Sequence, residues 1–194
     1  MAVLTTFLVF VLLIAIGLGL YGMLLYNGLI QVKHSVDQAF ANIDVLLKQR
    51  RDELPKLIDS VRSYMVYERD LLDRITQLRI KTGAASTGEA ERLQAEGQLS
   101  AGLSRLFAVA ENYPDLKANQ NFMQLQERIS ALEEQIAHRR EFYNEAVNIN
   151  NVRMEQMPGN LLAGAAGLRR RVLFEASADE RADVAIGDAL RVPG

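Results

Sequence analysis

Two histidines, 24 carboxylate side chains and no cysteine are the chemical means of this 194-residue chain. Without Cys there is no thiol nucleophile, no thiolate metal site and no disulfide framework. His138 has Glu134 at i−4 and Glu141 at i+3, so three potential metal ligands share one helical face. The same spacing is that of solvated ion pairs along a charged helix, an account that needs no metal. His34 has Lys33 beside it and Asp37 at i+3, and no second ligand of the right kind. No Ser-His-Asp set, G-x-S-x-G elbow, P-loop or HExxH pattern occurs. Tyr64, Tyr67, Tyr113 and Tyr143 suit core and corner packing better than a ligand cage. The expectation is a protein with no catalytic constellation, no cofactor and no metal, which is not an enzyme.

Charge excludes another class. The net charge is −2 and the pI is near 5.8, with neither sign dominating a long block. A nucleic-acid footprint needs Lys and Arg clustered on one face, and the one dense cluster is Arg169, Arg170 and Arg171. Three arginines are too few for that partner.

The elements that position these residues begin with an apolar run. Ala2 to Ile30 contains no Asp, Glu, Lys, Arg or His, and roughly 20 apolar residues suffice to cross a bilayer as a helix. A cleaved signal peptide would carry a basic leading region, a shorter apolar core and a small-residue cleavage site. This run has none of them, so it reads as an anchor over residues 1–28. Basic residues bias the cytoplasmic side. None precedes the span, whereas Lys33, Lys48, Arg50 and Arg51 follow it, which places the C-terminal domain in the cytoplasm and the N-terminus outside. The alternative is a domain on the outer face.

The helix does not stop at the membrane. Leu29, Val32, Val36, Ala39, Ile43 and Leu46 fall at spacings of 3, 4, 3, 4 and 3, an amphipathic seam continuous with the span. The rest of the chain is rich in Ala, Leu, Glu, Gln and Arg, all good helix formers. The fold class is therefore all-α, an N-terminal transmembrane helix continuous with an antiparallel up-down four-helix bundle over residues 29–157. Its helices are expected at about 29–52, 55–81, 89–112 and 119–156.

Each boundary has a local reason. Leu54-Pro55 predicts a tight corner, since Pro disfavours helix before it and suits the first position of a new one. Glu68 occupies a seam position between Tyr64 and Leu71. Either the register shifts through Met65 and Leu72, the simpler account, or a carboxylate is buried against a basic residue of a neighbouring helix. TGAASTG at residues 82–88 is a loop, with Ser86 or Thr87 as the next cap. Gly97 and Gly102 make the third helix the weakest of the four. Asn112-Tyr113-Pro114-Asp115 and Pro158-Gly159 are stop signals, and Arg139 interrupts an otherwise apolar seam on the last helix.

Length then points back at the bilayer. The bundle part of the first helix rises about 36 Å and the fourth about 54 Å, so the fourth overhangs the bundle or returns to the membrane surface. An apolar stretch, Leu161 to Leu168, follows it and ends in three arginines. Leu161, Leu162, Leu168, Arg169, Arg170 and Arg171 are the candidate membrane-interface residues. The competing account is a tail that packs on nothing or on a neighbouring subunit. Residues 172–194 are either disordered or ordered on assembly.

Several stretches together resemble the LemA family. Tyr26-Asn27-Gly28-Leu29-Ile30 is similar to its exit from the membrane helix. Val36-Asp37-Gln38-Ala39-Phe40 through Ile43-Asp44-Val45 to Lys48-Gln49-Arg50 is similar to its V-x-x-A-[WF]-x-x-ID-V-x-L-K-x-R segment, continued by Leu54-Pro55-Lys56-Leu57, Tyr64 and Glu68. Ala110-Glu111-Asn112-Tyr113-Pro114-Asp115-Leu116-Lys117-Ala118 with Phe122, then Arg140, Phe142-Tyr143-Asn144 and Ala146-Val147, match further blocks, as do Pro158, Asn160-Leu161 and Ala163-Gly164. The resemblance spans about residues 26–176 and departs at the third-helix glycines and beyond Ser177. It implies a single membrane helix and a cytoplasmic four-helix bundle, no known enzymatic activity, a bacterial source, a relative involved in forming magnetosome membranes, and genes that often neighbour membrane proteases. The expected function is a membrane-anchored scaffold or adaptor. It would self-assemble as a homo-oligomer at the inner membrane and help organise or shape it, with Gly17, Gly19 and Gly22 suited to close helix approach. The partners are the lipid bilayer, further copies of the chain, or another membrane protein. The alternative is a regulatory or sensor subunit of a neighbouring membrane enzyme such as a protease.

Overall fold

The computed structural model describes residues 1–174. The described residues contain helices and no strand, in the order α1 (Ala2–Val61), α2 (Arg69–Gly83), α3 (Glu89–Ala110), α4 (Pro114–Lys117), α5 (Gln120–Glu155) and α6 (Gly159–Ala163). The all-α class is as expected.

The first part of α1 is long and apolar enough to cross a membrane, and none of its apolar window is buried by the protein. From Leu29 the pattern changes. Leu29, Val36, Ile43, Leu47, Leu54, Leu57 and Val61 are buried along the same helix. An apolar cylinder has become an amphipathic one with no break in the backbone ladder.

Pro55 was expected to end this helix, and it does not. Pro55 lies inside α1, and the chain turns only at residues 62–68. A proline inside a helix removes the hydrogen bond to the carbonyl four residues back, here that of Arg51. That carbonyl accepts a hydrogen bond from Arg79 Nε of α2 at 3.1 Å. The exchange is reciprocal, because Arg51 Nη1 donates to the Thr82 carbonyl at the end of α2. Two helices thus supply one another with partners that local sequence denies them.

The true corner is closed by Met65, which is fully buried, and by backbone bonds from Tyr64 and Met65 to the Val61 carbonyl at 3.0 and 2.9 Å. The register shift through Met65 and Leu72 is the account that holds, since both are buried while Glu68 lies in the turn ahead of α2. Gly88, not Ser86 or Thr87, precedes α3, and the Thr87 hydroxyl instead donates to the Lys81 carbonyl at 3.0 Å. Of the third-helix glycines, Gly102 is used for approach. A Cβ on Gly102 would stand 3.3 Å from Ile75 Cγ1 of α2, so α3 is a full 22-residue helix packed closely against its neighbour. Asn119 Oδ1 accepts from the amides of Asn121 and Phe122 at the start of α5.

The described residues divide into two compact units, one of Met1–Ile43 with Arg139–Leu173 and one built on Asp44–His138. In the second, the end of α1, α2, α3, α4 and the start of α5 share one core that includes Leu57, Ile75, Leu103, Leu116, Phe122 and Ile129. In the first, Phe40 of α1 meets Tyr143 of α5 with ring centroids 5.8 Å apart, and Val147 is fully buried. The α5 seam passes beside Arg139, which is exposed, through Ile136 and Tyr143.

Removing the donor at position 79 isolates the proline effect. Arg79→Met should cost about 1–3 kcal/mol by leaving the Arg51 carbonyl unpartnered. The cost should shrink in a Pro55→Ala background, where a backbone N–H returns. Thermal unfolding of the full chain in mild detergent, followed by helical circular dichroism, measures both. Equal costs in the two backgrounds would refute the compensation.

Candidate functional site

Among the described residues no three His, Asp or Glu side chains gather so as to hold a metal ion, so Glu134, His138 and Glu141 do not form such a group. A shallow groove of about 420 Å³ is lined by Glu53, Lys56, Ser60, Asn121, Gln124 and Arg128. Its carboxylate is already paired, Glu53 with Lys56 at 3.0 Å and with Arg128 at 3.1 Å.

The most concentrated chemistry is buried. The spacing of α1 runs Ile43, Leu47, Arg50, Leu54, Leu57, which puts an arginine where the seam calls for an apolar residue. Arg50 is fully buried. Its guanidinium reaches Glu96 of α3 through Nη2, and through Nη1 donates to Glu133 Oε1 of α5 at 2.6 Å and to Ser100 Oγ at 2.7 Å. The Ser100 hydroxyl donates onward to Glu133 Oε2 at 2.7 Å. Glu96 extends the α3 seam of Leu99, Leu103, Leu106 and Ala110 backwards by three residues and is itself fully buried. Nearby, Arg92 pairs with Asp44. Three helices are thereby joined through one planar cation, a geometry that suits Arg and not Lys.

The hydrogen-bonding capacity of the pair is not fully used. Arg50 Nε and Glu96 Oε1 have no hydrogen-bond partner among the described residues. Burial pushes the Glu96 carboxyl above its ordinary range, against the opposing pull of Arg50. The sequence pattern raised a buried carboxylate only as the lesser account, and for Glu68; Arg50 and Glu96 were not among the candidates. The available signal was the seam register, in which both Arg50 and Glu96 occupy apolar positions. The cluster is closed to solvent except at Glu133, whose side chain is 25% exposed, and at the half-buried Ser100. Its chemistry is therefore that of a clasp.

The second site lies where α1 leaves its apolar segment. Leu29 is buried with Ala163, Ala166 and Leu168, and Ile30, Met154 and Leu162 pack around them. The turn is closed by bonds from Leu168 N to Ala163 O at 3.0 Å and from Gly167 N to Gly164 O at 3.1 Å. Gly167 has φ +67. These are the two bonds and the left-handed glycine of a Schellman motif, and the Ala163–Leu168 contact completes it. Beyond it, Asn150 Nδ2 donates to Arg169 O at 2.9 Å and Asn151 Nδ2 to Arg171 O at 3.0 Å, while Arg171 N donates back to Asn151 Oδ1.

This geometry divides the six candidate membrane-interface residues. Leu168 is buried, because the left-handed glycine before it turns it into the protein, and Leu162 is half-buried beside it. Leu168 is thereby withdrawn from the surface, and Leu162 keeps part of its side chain on it. Arg171 is paired with Asp37 at 2.6 Å. Leu161 remains 71% exposed, with Arg169 and Arg170 exposed beyond the turn. Arg170 makes a long contact of 3.6 Å with Glu155.

Comparison with known proteins follows from these features. A family model described as "LemA family" matches residues 39–187. The chain is 29% identical over 158 residues to Protein LemA of Metamycoplasma hominis, covering 81% of this chain and 72% of that protein. It is also 34% identical over 83 residues to Magnetosome protein MamQ 2 and to Magnetosome protein MamQ 1 of Paramagnetospirillum magneticum. Those matches cover 43% of this chain and 30% of each relative, so the chain spans under a third of their length.

The clasp predicts two outcomes. Arg50→Met leaves Glu96 buried without its cation and should cost about 3–5 kcal/mol, most of it recovered when Glu96→Met is added. Because the native state holds the Glu96 proton more tightly than the unfolded chain does, stability falls as pH rises from about 4.5 into the raised range. Glu96→Gln should remove that decline. Denaturant titrations at several pH values check both, and a pH slope unchanged in Glu96→Gln would reassign the titration to another group.

Proposed function

The chain belongs to the LemA family, and from that membership we propose that it is a membrane-anchored scaffold or adaptor without enzymatic activity, which self-assembles at the inner membrane and helps organise it. The observation that carries the reading is α1 itself. A lipid-seeking cylinder passes without a break into a helix whose buried face carries packed cores. Such a helix leaves no flexible linker between the apolar segment and the amphipathic stretch that begins at Leu29. The excess of basic residues after the span favours a cytoplasmic domain.

Two features favour association between copies. Gly17, Gly19 and Gly22 have nothing within 4 Å of where a Cβ would stand, and small residues on a membrane helix admit a second helix closely. On α5, Phe142, Ile149 and Val152 form an exposed apolar row at helical spacing, 59%, 45% and 38% exposed. That row also fits the second reading, a regulatory subunit docked on a neighbouring membrane enzyme.

Mass measurement of the full chain in mild detergent separates the two readings. A homo-oligomer is expected, with Gly19→Ile plus Gly22→Ile lowering the mass while the helical signal stays unchanged. A monomer that co-purifies with another membrane protein favours the regulator. Digestion of the folded part by a protease added outside intact spheroplasts would overturn the cytoplasmic placement.

A further inference from the structure

Resting on the membrane-anchored reading, we propose that residues 157–170 form an interfacial foot. Met157 and Leu161 enter the bilayer surface beside the exit of α1, and Arg169 and Arg170 meet anionic headgroups.

Position is the first argument. Leu29 and Ile30 close the uncharged apolar run, three residues ahead of the first charge at Lys33, so they lie where α1 leaves hydrocarbon. The foot packs on these two residues through Ala163, Ala166 and Leu168. A segment held there is at the interface by construction, whatever the tilt of the span.

The second argument is which side chains are left over. The apolar residues that face α1 are buried, whereas Met157 and Leu161 are each 71% exposed on the same turn. The backbone that carries them is itself tied, Asn160 N donating to Gln156 O at 2.9 Å and Leu161 N to Pro158 O at 3.2 Å, and the Schellman bonds and the two asparagines tie the segment that follows. Exposed apolar tips followed by cations are the pattern of an interfacial anchor.

Charge is the third. Residues 158–171 contain three arginines and no acidic residue. Lys33 adds a further cation, its Nζ lying 3.4 Å from where a Cβ on Gly167 would stand. The acidic groups opposing them are Asp37, engaged by Arg171, and Glu155, at 3.6 Å from Arg170. Arg169 has no ion pair among the described residues, and Arg170 is 77% exposed. An arginine near an anionic surface favours the docked state by about fivefold.

The chain contains no tryptophan, so one introduced indole reports its own surroundings. Leu161→Trp and, separately, Leu12→Trp would be placed in the full chain and reconstituted into nanodiscs. The lipid would be phosphatidylcholine, alone or mixed with phosphatidylglycerol, with and without lipid brominated along its acyl chains. The Leu12 probe reports the anchor. If it is not quenched, the anchoring premise fails and the foot fails with it. The Leu161 probe should be quenched by brominated lipid, more strongly with phosphatidylglycerol present. Arg169→Ala with Arg170→Ala should lower its docked-to-undocked ratio by roughly 25-fold on the anionic discs, leaving the Leu12 signal unchanged. A quenched Leu12 probe with an unquenched Leu161 probe would overturn the foot while sparing the anchor. That outcome includes a blue-shifted, unquenched indole, which would mean that protein covers the turn. Equal quenching on the two lipid compositions would overturn the headgroup contact.

Discussion

A helix backbone tolerates no unpaired carbonyl in its interior, and the structure depends on how that demand is met at Arg51. Pro55 withdraws the local donor, and Arg79 replaces it from the next helix. The helix runs on past Pro55 into the last turns, which bury Leu57 and Val61. One 60-residue helix thus supplies both an apolar cylinder of membrane-spanning length and a face for the core of the folded part. The return bond from Arg51 to the end of α2 makes the two helices mutually dependent, so neither terminus is defined by its own residues alone.

The neighbouring arginine solves a different problem at a higher cost. Arg50 occupies a core position, and burying a guanidinium is unfavourable unless its donors are used. Glu96, Ser100 and Glu133 use most of them and come from two other helices. Apolar side chains slide past one another over a shallow energy surface. A planar cation held by two carboxylates on different helices does not, so the clasp sets helix register. Glu96 bears the residual cost, visible in the upward push on its carboxyl.

At the other end of α5 the same logic of satisfied backbone groups shapes the segment packed on Leu29. The chain cannot continue as helix past Gly167, and the Schellman bonds turn Leu168 inward onto Ala163. Asn150, which sits on the buried seam, spends its amide on the Arg169 carbonyl. A stretch with the composition of a loose tail is thereby tied to the helix pair, and the side chains it leaves outside include Met157, Leu161, Arg169 and Arg170.

Much of this was legible in residue order. The uncharged run to Ile30, the 3,4 spacing of Leu29, Val36 and Ile43, the seam of Phe122, Ile129, Leu132, Ile136 and Tyr143, and the loop before Glu89 follow from local rules. Transfer of apolar side chains from water and the pitch of a helix are both set within a few residues. The fate of Pro55, the choice between Glu68 and Glu96 as the buried carboxylate, the use of Gly102 and the inward turn of Leu168 were not. Each depends on a partner far away in the chain: Arg79 for Pro55, Arg50 for Glu96, Ile75 for Gly102 and Leu29 for Leu168. The sequence by itself determined that this protein is helical and carries a membrane-length apolar helix. Only the tertiary structure decided where the first helix stops and which charges are inside, because hydrogen bonds and ion pairs that override local preference are made between helices.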